Sequence, residues 1–154
     1  MTRSDVLDAW EAFLKGKLTE QEASLDDAES TARDAPGSNV TRSDQSREQY
    51  SNLALGLQQV IAATKDALGF VQKIRLQPRT TNIIRPGSLV RTSSPNSAVS
   101  FLVIPFAQGD KLTIGHEEIL VISPESPIGA QLIGKEVGDE LRYKSEELDI
   151  DEIL

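Results

Sequence analysis

Two carboxylates four residues apart, Asp44 and Glu48, are where side-chain type and spacing in this chain best suit chemistry. On a helix, residues i and i+4 share a face, so the pair could grip one cation together. Mg²⁺ fits such a donor set, because it takes hard oxygen ligands and is held by one or two carboxylates. Arg42 and Arg47 flank the pair. A guanidinium there can neutralise a carboxylate by pairing with it, or reach a phosphate or a foreign carboxylate. Asp34 stands before the same turn, at a helix end where negative charge is unfavourable, which suits a loop cap or a further functional acid. A plainer assignment exists for each group. Asp44 closes a capping box, Thr41-Arg-Ser-Asp44, Glu48 is a solvated acid of a first helical turn, and the arginines make surface ion pairs of small worth. His116 is the only histidine and there is no cysteine, so neither a histidine nor a thiolate metal centre is expected.

These residues need a helix turn to carry them, and the sequence supplies one. From Ser4, a suitable N-cap, apolar residues fall at helical spacing: Val6, Trp10, Phe13, Leu14, Leu18, Leu25, Ala28 and Ala32. The run Ala35-Pro-Gly-Ser-Asn39 stops that helix. A second helix then shows a seam of alternating threes and fours: Tyr50, Leu53, Leu57, Val60, Thr64, Ala67, Val71 and Ile74. One stripe cannot be buried alone, and the first helix offers its match. The short connection makes the two antiparallel neighbours. The expected result is a coiled-coil hairpin over residues 1–78, about 45 Å long, with its tip at about 34–48. A closed bundle would need a third helix, and none is legible.

Gln77-Pro78 breaks the second helix and begins a linker. The period then changes to that of strands over 88–92, 99–104, 111–114, 119–122, 141–143 and 148–153. One short helix runs from Pro127 to Ile133, with Ser126 as its cap and Gly134 after its end. The fold class is therefore α+β: the hairpin, then a small antiparallel sheet with one short helix over residues 83–154. Its expected core is Leu89, Phe101, Val103, Ile119, Val121, Leu132 and Leu141.

Composition narrows the function. The net charge of −8 is spread along the chain, and no basic face suggests independent nucleic-acid binding. A partner with basic surfaces or a bound metal ion is the more natural target. No apolar run approaches the length of a membrane span, and the first residues lack the apolar core of a signal peptide. With no cysteine, a reducing cytoplasm is the simplest location.

The stretch Ser126-Pro-Ile-Gly, Leu132-Ile-Gly-Lys135 and Gly138-Asp139 resembles a motif near the C-terminus of bacterial Gre-type transcript cleavage factors. Hairpin first and sheet domain second, at this length, is the arrangement of that family throughout. The resemblance implies an FKBP-like fold for residues 83–154 and RNA polymerase as the partner. It implies that the hairpin enters the polymerase's secondary channel and meets the 3′ end of backtracked RNA. It implies no enzymatic activity of the chain's own. Tip carboxylates would instead share a Mg²⁺ with the polymerase and assist its two-metal hydrolysis. No cofactor would be held by the chain alone, and it would act as a monomer.

The tip departs from the family's acidic motif. Counting back from Tyr50, the family's Asp position falls on Ser43 and its Glu position on Ser46. Two readings stay open: Asp44 and Glu48 replace the lost acids, or the factor binds without cleavage and inhibits. For docking, the loop Pro105–His116 stands out, with Phe106, Gln108 and Asp110 as candidate contacts. Phe106 either anchors an interface or folds back on the sheet. A prolyl isomerase or chaperone is a remoter alternative, since residues 83–154 offer only Phe101, Phe106 and Tyr143 as aromatics for a pocket. An interaction module for another partner is the blandest one.

Overall fold

The computed structural model describes residues 2–34, 40–77 and 82–154, without the side chains of 32–34 and 40–47. Two helices, α1 (Arg3–Asp34) and α2 (Val40–Arg75), form a hairpin and precede all the strands. Two compact units divide the chain: Ala12–Leu68, and Met1–Glu11 together with Gly69–Leu154. Among the described residues, no helix is long and apolar enough to cross a membrane.

In the helical unit, cross-helix hydrogen bonds fix the antiparallel register. Thr64 Oγ1 donates to Gln21 Oε1 at 2.8 Å, and Gln58 Nε2 to Glu29 Oε1 at 3.4 Å. Thr64 is buried in the seam, and its single hydroxyl proton is shared between Gln21 and the Val60 carbonyl, which lies at 3.0 Å, so the hydroxyl is satisfied where an orphan would be costly. The seam differs from the expected one in its distal half. Ala54 and Ile61 are buried, whereas Tyr50, Leu53 and Val60 are 37%, 52% and 48% exposed. Both stripes share Leu57 and Thr64. They differ in whether the residue between is three or four positions on, and both choices are apolar here. The buried line then swings over to Ala67, Val71 and Ile74, as expected. Helix α2 also begins at Val40, so Thr41 lies inside it and is not its cap.

The other unit is built on a six-stranded sheet: β1 (Ser88–Ser93), β2 (Ala98–Val103), β3 (Asp110–Ile114), β4 (Glu117–Ile122), β5 (Glu140–Tyr143) and β6 (Glu146–Ile153). The spatial order is β3-β4-β2-β1-β6-β5. All pairings but one are antiparallel, as expected. The exception is β2 with β4, which run parallel from Ser100↔Ile119 to Val103↔Ile122. Hence the sheet is mixed. The cause is the chain's path: β3 takes the edge, and β4 returns between it and β2. The helix α3 (Pro127–Leu132) brings Leu132 to a core of Ile84, Val90, Phe101, Val103, Leu141, Leu148 and Ile150. Phe101 meets Tyr143 edge to face at 5.4 Å. Every expected core residue is buried.

The helix ends in this unit are tied to the sheet by one side chain. Arg3 Nε donates to the Gly87 carbonyl at 2.9 Å, and Arg3 Nη2 to the Ile74 carbonyl at 3.4 Å. Burial lowers the Arg3 pKa from its ordinary value. Gly87 adopts φ +93°, and a Cβ there would lie 3.1 Å from Ile74 Cδ1. Val6, Leu7, Trp10, Val71 and Ile74 are all buried. Arg75 closes the edge with ion pairs to Asp8 and Glu11, each at 2.8 Å.

The β1–β2 turn contains a small serine–carboxylate clasp. Ser94 Oγ donates to Glu146 Oε1, and Ser97 Oγ to Glu146 Oε2 at 2.9 Å. These bonds, Ser94 first, hold the Glu146 carboxyl below its ordinary pKa. A depressed folded pKa contributes stability at neutral pH that fades as pH falls through that pKa. Replacing both serines by alanine should raise the Glu146 midpoint toward an ordinary carboxylate, followed by carboxyl-carbon NMR, and remove this acid-dependent stability.

Candidate functional site

The residues of the Ser126–Asp139 motif each have a local mechanical duty. Ser126 adopts an extended backbone (φ −65°, ψ 156°), and its Oγ accepts from the Gly129 N–H at 3.1 Å. The same hydroxyl donates to the Ser123 carbonyl at 2.7 Å. Pro127 follows in the first turn, where its missing N–H costs nothing. Gly129 is forced by contact, since a Cβ would sit 1.9 Å from the Ser123 carbonyl oxygen. Leu132 is fully buried. Gly134 turns the chain at φ +86° and donates to the Ile84 carbonyl at 3.0 Å. Gly138 turns it again at φ +93°, and Asp139 Oδ2 accepts the Glu136 N–H at 2.8 Å. The motif thus writes the docking of α3 and the turn into β5.

The hairpin tip carries the candidate chemistry. Helix α2 holds positions 42, 44, 47 and 48 in its first turns, and α1 ends at Asp34. Positions 44 and 48 therefore keep the one-turn spacing that a shared cation needs. The side chains of Asp34, Arg42, Asp44 and Arg47 lie outside the described residues, as does the backbone of 35–39. Glu48 and Tyr50 are exposed. Among the described residues, no group of three or more His, Cys, Asp or Glu could hold a metal ion.

The candidate docking loop joins β2 to β3. Ile104 makes the last bond beside β4, its N–H to the Ile122 carbonyl at 2.9 Å. The chain then leaves the sheet, and Phe106 adopts φ +68°. For a bulky residue this left-handed conformation is strained. Its ring is 51% exposed, so it does not fold back into the core. Gln108 is exposed and Asp110 half-buried, with Asp110 opening β3 opposite Val121. Phe106 and Gln108 thus share an exposed loop, while Asp110 belongs to the sheet.

Two features were not read from the sequence. Ile83, Ile133 and Val137 are exposed around the end of α3, and Ile83 bridges Glu136. Their burial could not be told from residue type, because the local pattern fits either side. The second is a concavity of about 780 Å³ lined by Arg91, Ser100, Ile114, His116, Glu117 and Asp151. Arg91 bridges Glu117 at 3.2 Å and Glu152 at 2.7 Å, and Ser100 Oγ donates to Glu117 at 2.6 Å. These bonds, Glu152 first, raise the Arg91 pKa. The network laces β1, β2, β4 and β6 together. His116 sits on its rim with no second histidine to partner it.

No protein-family model and no curated protein matches the chain. Solved structures do. It is similar to the GreA factor homolog 1 (Gfh1) protein of Thermus thermophilus, at 21% identity over 94% of each chain with TM-score 0.39. A structure of the transcription factor Gfh1 aligns at 23% identity over 94% of this chain and 93% of the other, with TM-score 0.38. Thermus aquaticus Gfh1 aligns at 20% identity over 94% and 93%, also with TM-score 0.38.

Substituting Gly129 by alanine should cost about 3 kcal/mol or more, because the clash is with fixed backbone and not with a flexible side chain. Urea unfolding of the full chain, followed by near-ultraviolet signals of the sheet unit, measures the loss. Ser126→Ala, which removes only the cap, should cost about 1 kcal/mol.

Proposed function

We propose that this protein is a Gre-like regulator that docks on RNA polymerase through its sheet unit and inserts its helical hairpin in the secondary channel. The observation that carries this reading is the coincidence of two things in one chain. A two-helix hairpin precedes a mixed sheet, and the residues of the Ser126–Asp139 motif occupy the caps and turns their types suit. Phe106 adds an exposed aromatic on a strained loop, the kind of residue that anchors an interface.

At the tip, Asp44 and Glu48 would be the donors. Two carboxylates one helical turn apart fit the needs of Mg²⁺ shared with the polymerase. The metal's contribution would be to orient and activate water at the polymerase's own centre. The chain itself would supply charge and position, without hydrolytic activity of its own. Arg42 and Arg47 would reach RNA phosphate or polymerase carboxylates. A second reading is favoured by a specific observation: serines at 43 and 46 occupy the places of the family's acids. In that reading the same docking blocks the channel, slows elongation and leaves backtracked RNA intact.

Backtracked elongation complexes separate the two. In the cleavage reading, wild-type protein shortens the RNA and Asp44→Ala loses most of that stimulation. If neither shortens it while both slow elongation, the inhibitory reading stands. Docking is tested apart from chemistry. Phe106→Ala should weaken polymerase binding about tenfold or more, read by fluorescence anisotropy of labelled protein. Unchanged affinity would remove this loop from the interface.

A further inference from the structure

Helix α2 carries a second seam beside the one that it buries in the hairpin. Gln49, Leu53, Gly56, Val60 and Ala63 recur by alternating fours and threes, the spacing of a knobs-into-holes stripe. These positions lie to one side of the buried Ala54, Ile61 and Thr64. Leu53 and Val60 are about half exposed, and Gln49 and Ala63 are exposed. A Cβ at Gly56 would meet nothing within 4 Å. The face is apolar, open, and contained wholly in the unit Ala12–Leu68.

Charge makes this stretch unusual. Residues 49–64 contain no Asp, Glu, Lys or Arg, in a chain with 26% charged residues and a net charge of −8. Two copies of so acidic a chain repel one another, so a contact between them must be made where the charge is absent. The order of side-chain sizes adds a second constraint. Along the seam, large and small residues are arranged so that the stripe complements its own reverse.

We propose that this face pairs with the same face of a second copy of the chain, the two α2 helices running antiparallel about a two-fold axis at the level of position 58 along the helix. Leu53 then meets Ala63 of the second copy, and Val60 meets Gly56. Each large side chain faces a small one, which lets the helix axes approach to about 8 Å. A parallel pairing would set Leu53 against Leu53 and leave a void at Gly56. An isologous contact of this kind closes on itself and makes dimers, not fibres. The contact is one helix face about 24 Å long, at the small end for a specific interface. It is therefore a reversible dimer, with monomers prevailing in dilute solution. The proposal does not depend on the polymerase reading. Where that reading holds, pairing would occupy a flank of the hairpin and compete with its insertion.

Sedimentation equilibrium of the full chain, from micromolar to millimolar concentration, tests the pairing. The average mass should climb toward twice that of one chain. Leu53→Glu and Gly56→Leu should each hold it at one chain throughout, with helical circular dichroism unchanged, since both positions are exposed. A wild type that stays monomeric over the whole range overturns the proposal, as does a Leu53→Glu chain that dimerises like the wild type. If the wild type is monomeric and Leu53→Glu instead weakens polymerase binding, the face belongs to that partner and the proposal also fails. The chain's lack of cysteine allows a test of direction. A mixture of Gly56→Cys and Val60→Cys chains under mild oxidant should give the mixed disulfide beyond its statistical share. An excess of like-with-like products means parallel pairing and overturns the two-fold arrangement.

Discussion

The Arg3 guanidinium is the fastening on which the sheet-bearing unit depends. It donates to the Gly87 carbonyl ahead of β1 and to the Ile74 carbonyl near the end of α2, from the first turn of α1. Three chain segments far apart in sequence are thus held by one side chain. The last carbonyls of a helix lack partners within it, and a cation there also meets the negative end of the helix dipole. Burial lowers the Arg3 pKa, yet arginine titrates so far above neutrality that the charge persists. Glycine suits position 87, where the φ of +93° would strain a side chain and a Cβ would press on the Ile74 methyl at 3.1 Å. Around this polar tie, Val6, Leu7, Trp10 and Val71 supply buried apolar surface. The tie sets register, and the apolar burial supplies most of the stabilisation.

The Ser126–Asp139 motif shows why likeness of sequence can point at a fold more firmly than at an activity. Its serine is a cap, its proline starts a helix, and its first glycine avoids a carbonyl. Its later glycines hold left-handed turns, and its aspartate closes one. Each requirement is geometric, and few residue types meet it. The candidate chemistry lies in the sequence of the hairpin tip, at positions 42, 44, 47 and 48 of the first turns of α2. Residues at such a tip can change without disturbing caps or core, so the fold alone does not set the activity.

Much of the fold was legible because local physics decided it. Period-two runs bounded by glycine and proline marked all six strands, and Ser126 with Gly134 bracketed α3. Strand partners were harder. Alternation says that β2 and β4 are strands, but their parallel pairing follows from β3 taking the edge, a long-range outcome with no local sign. The hairpin seam was misread between Tyr50 and Val60 because two apolar stripes run side by side there. Leu53 and Ala54 suit burial equally by type, and only the position of α1 selects Ala54. For the candidate site, Phe106 was legible as an aromatic after a strand-ending proline. Its left-handed backbone was not, because phenylalanine gives no hint of positive φ.

That ambiguity in α2 has a physical meaning of its own. A helix that needs one partner needs one apolar stripe, with charge on the remaining faces to keep it solvated. Over residues 49–64 this helix has a buried stripe, a second apolar stripe beside it, and no charge at all. Leaving Leu53 and Val60 half in water forgoes burial that a polar residue would not have sought. At the tip end, by contrast, Arg42, Asp44, Arg47 and Glu48 crowd into two turns. One helix therefore divides its residue types along its length: ionic groups in its first turns, and an uncharged flank further on. Charge at the flank would make contact with another surface costly. The division reflects the opposite demands of solvated charge and helix packing on the same backbone.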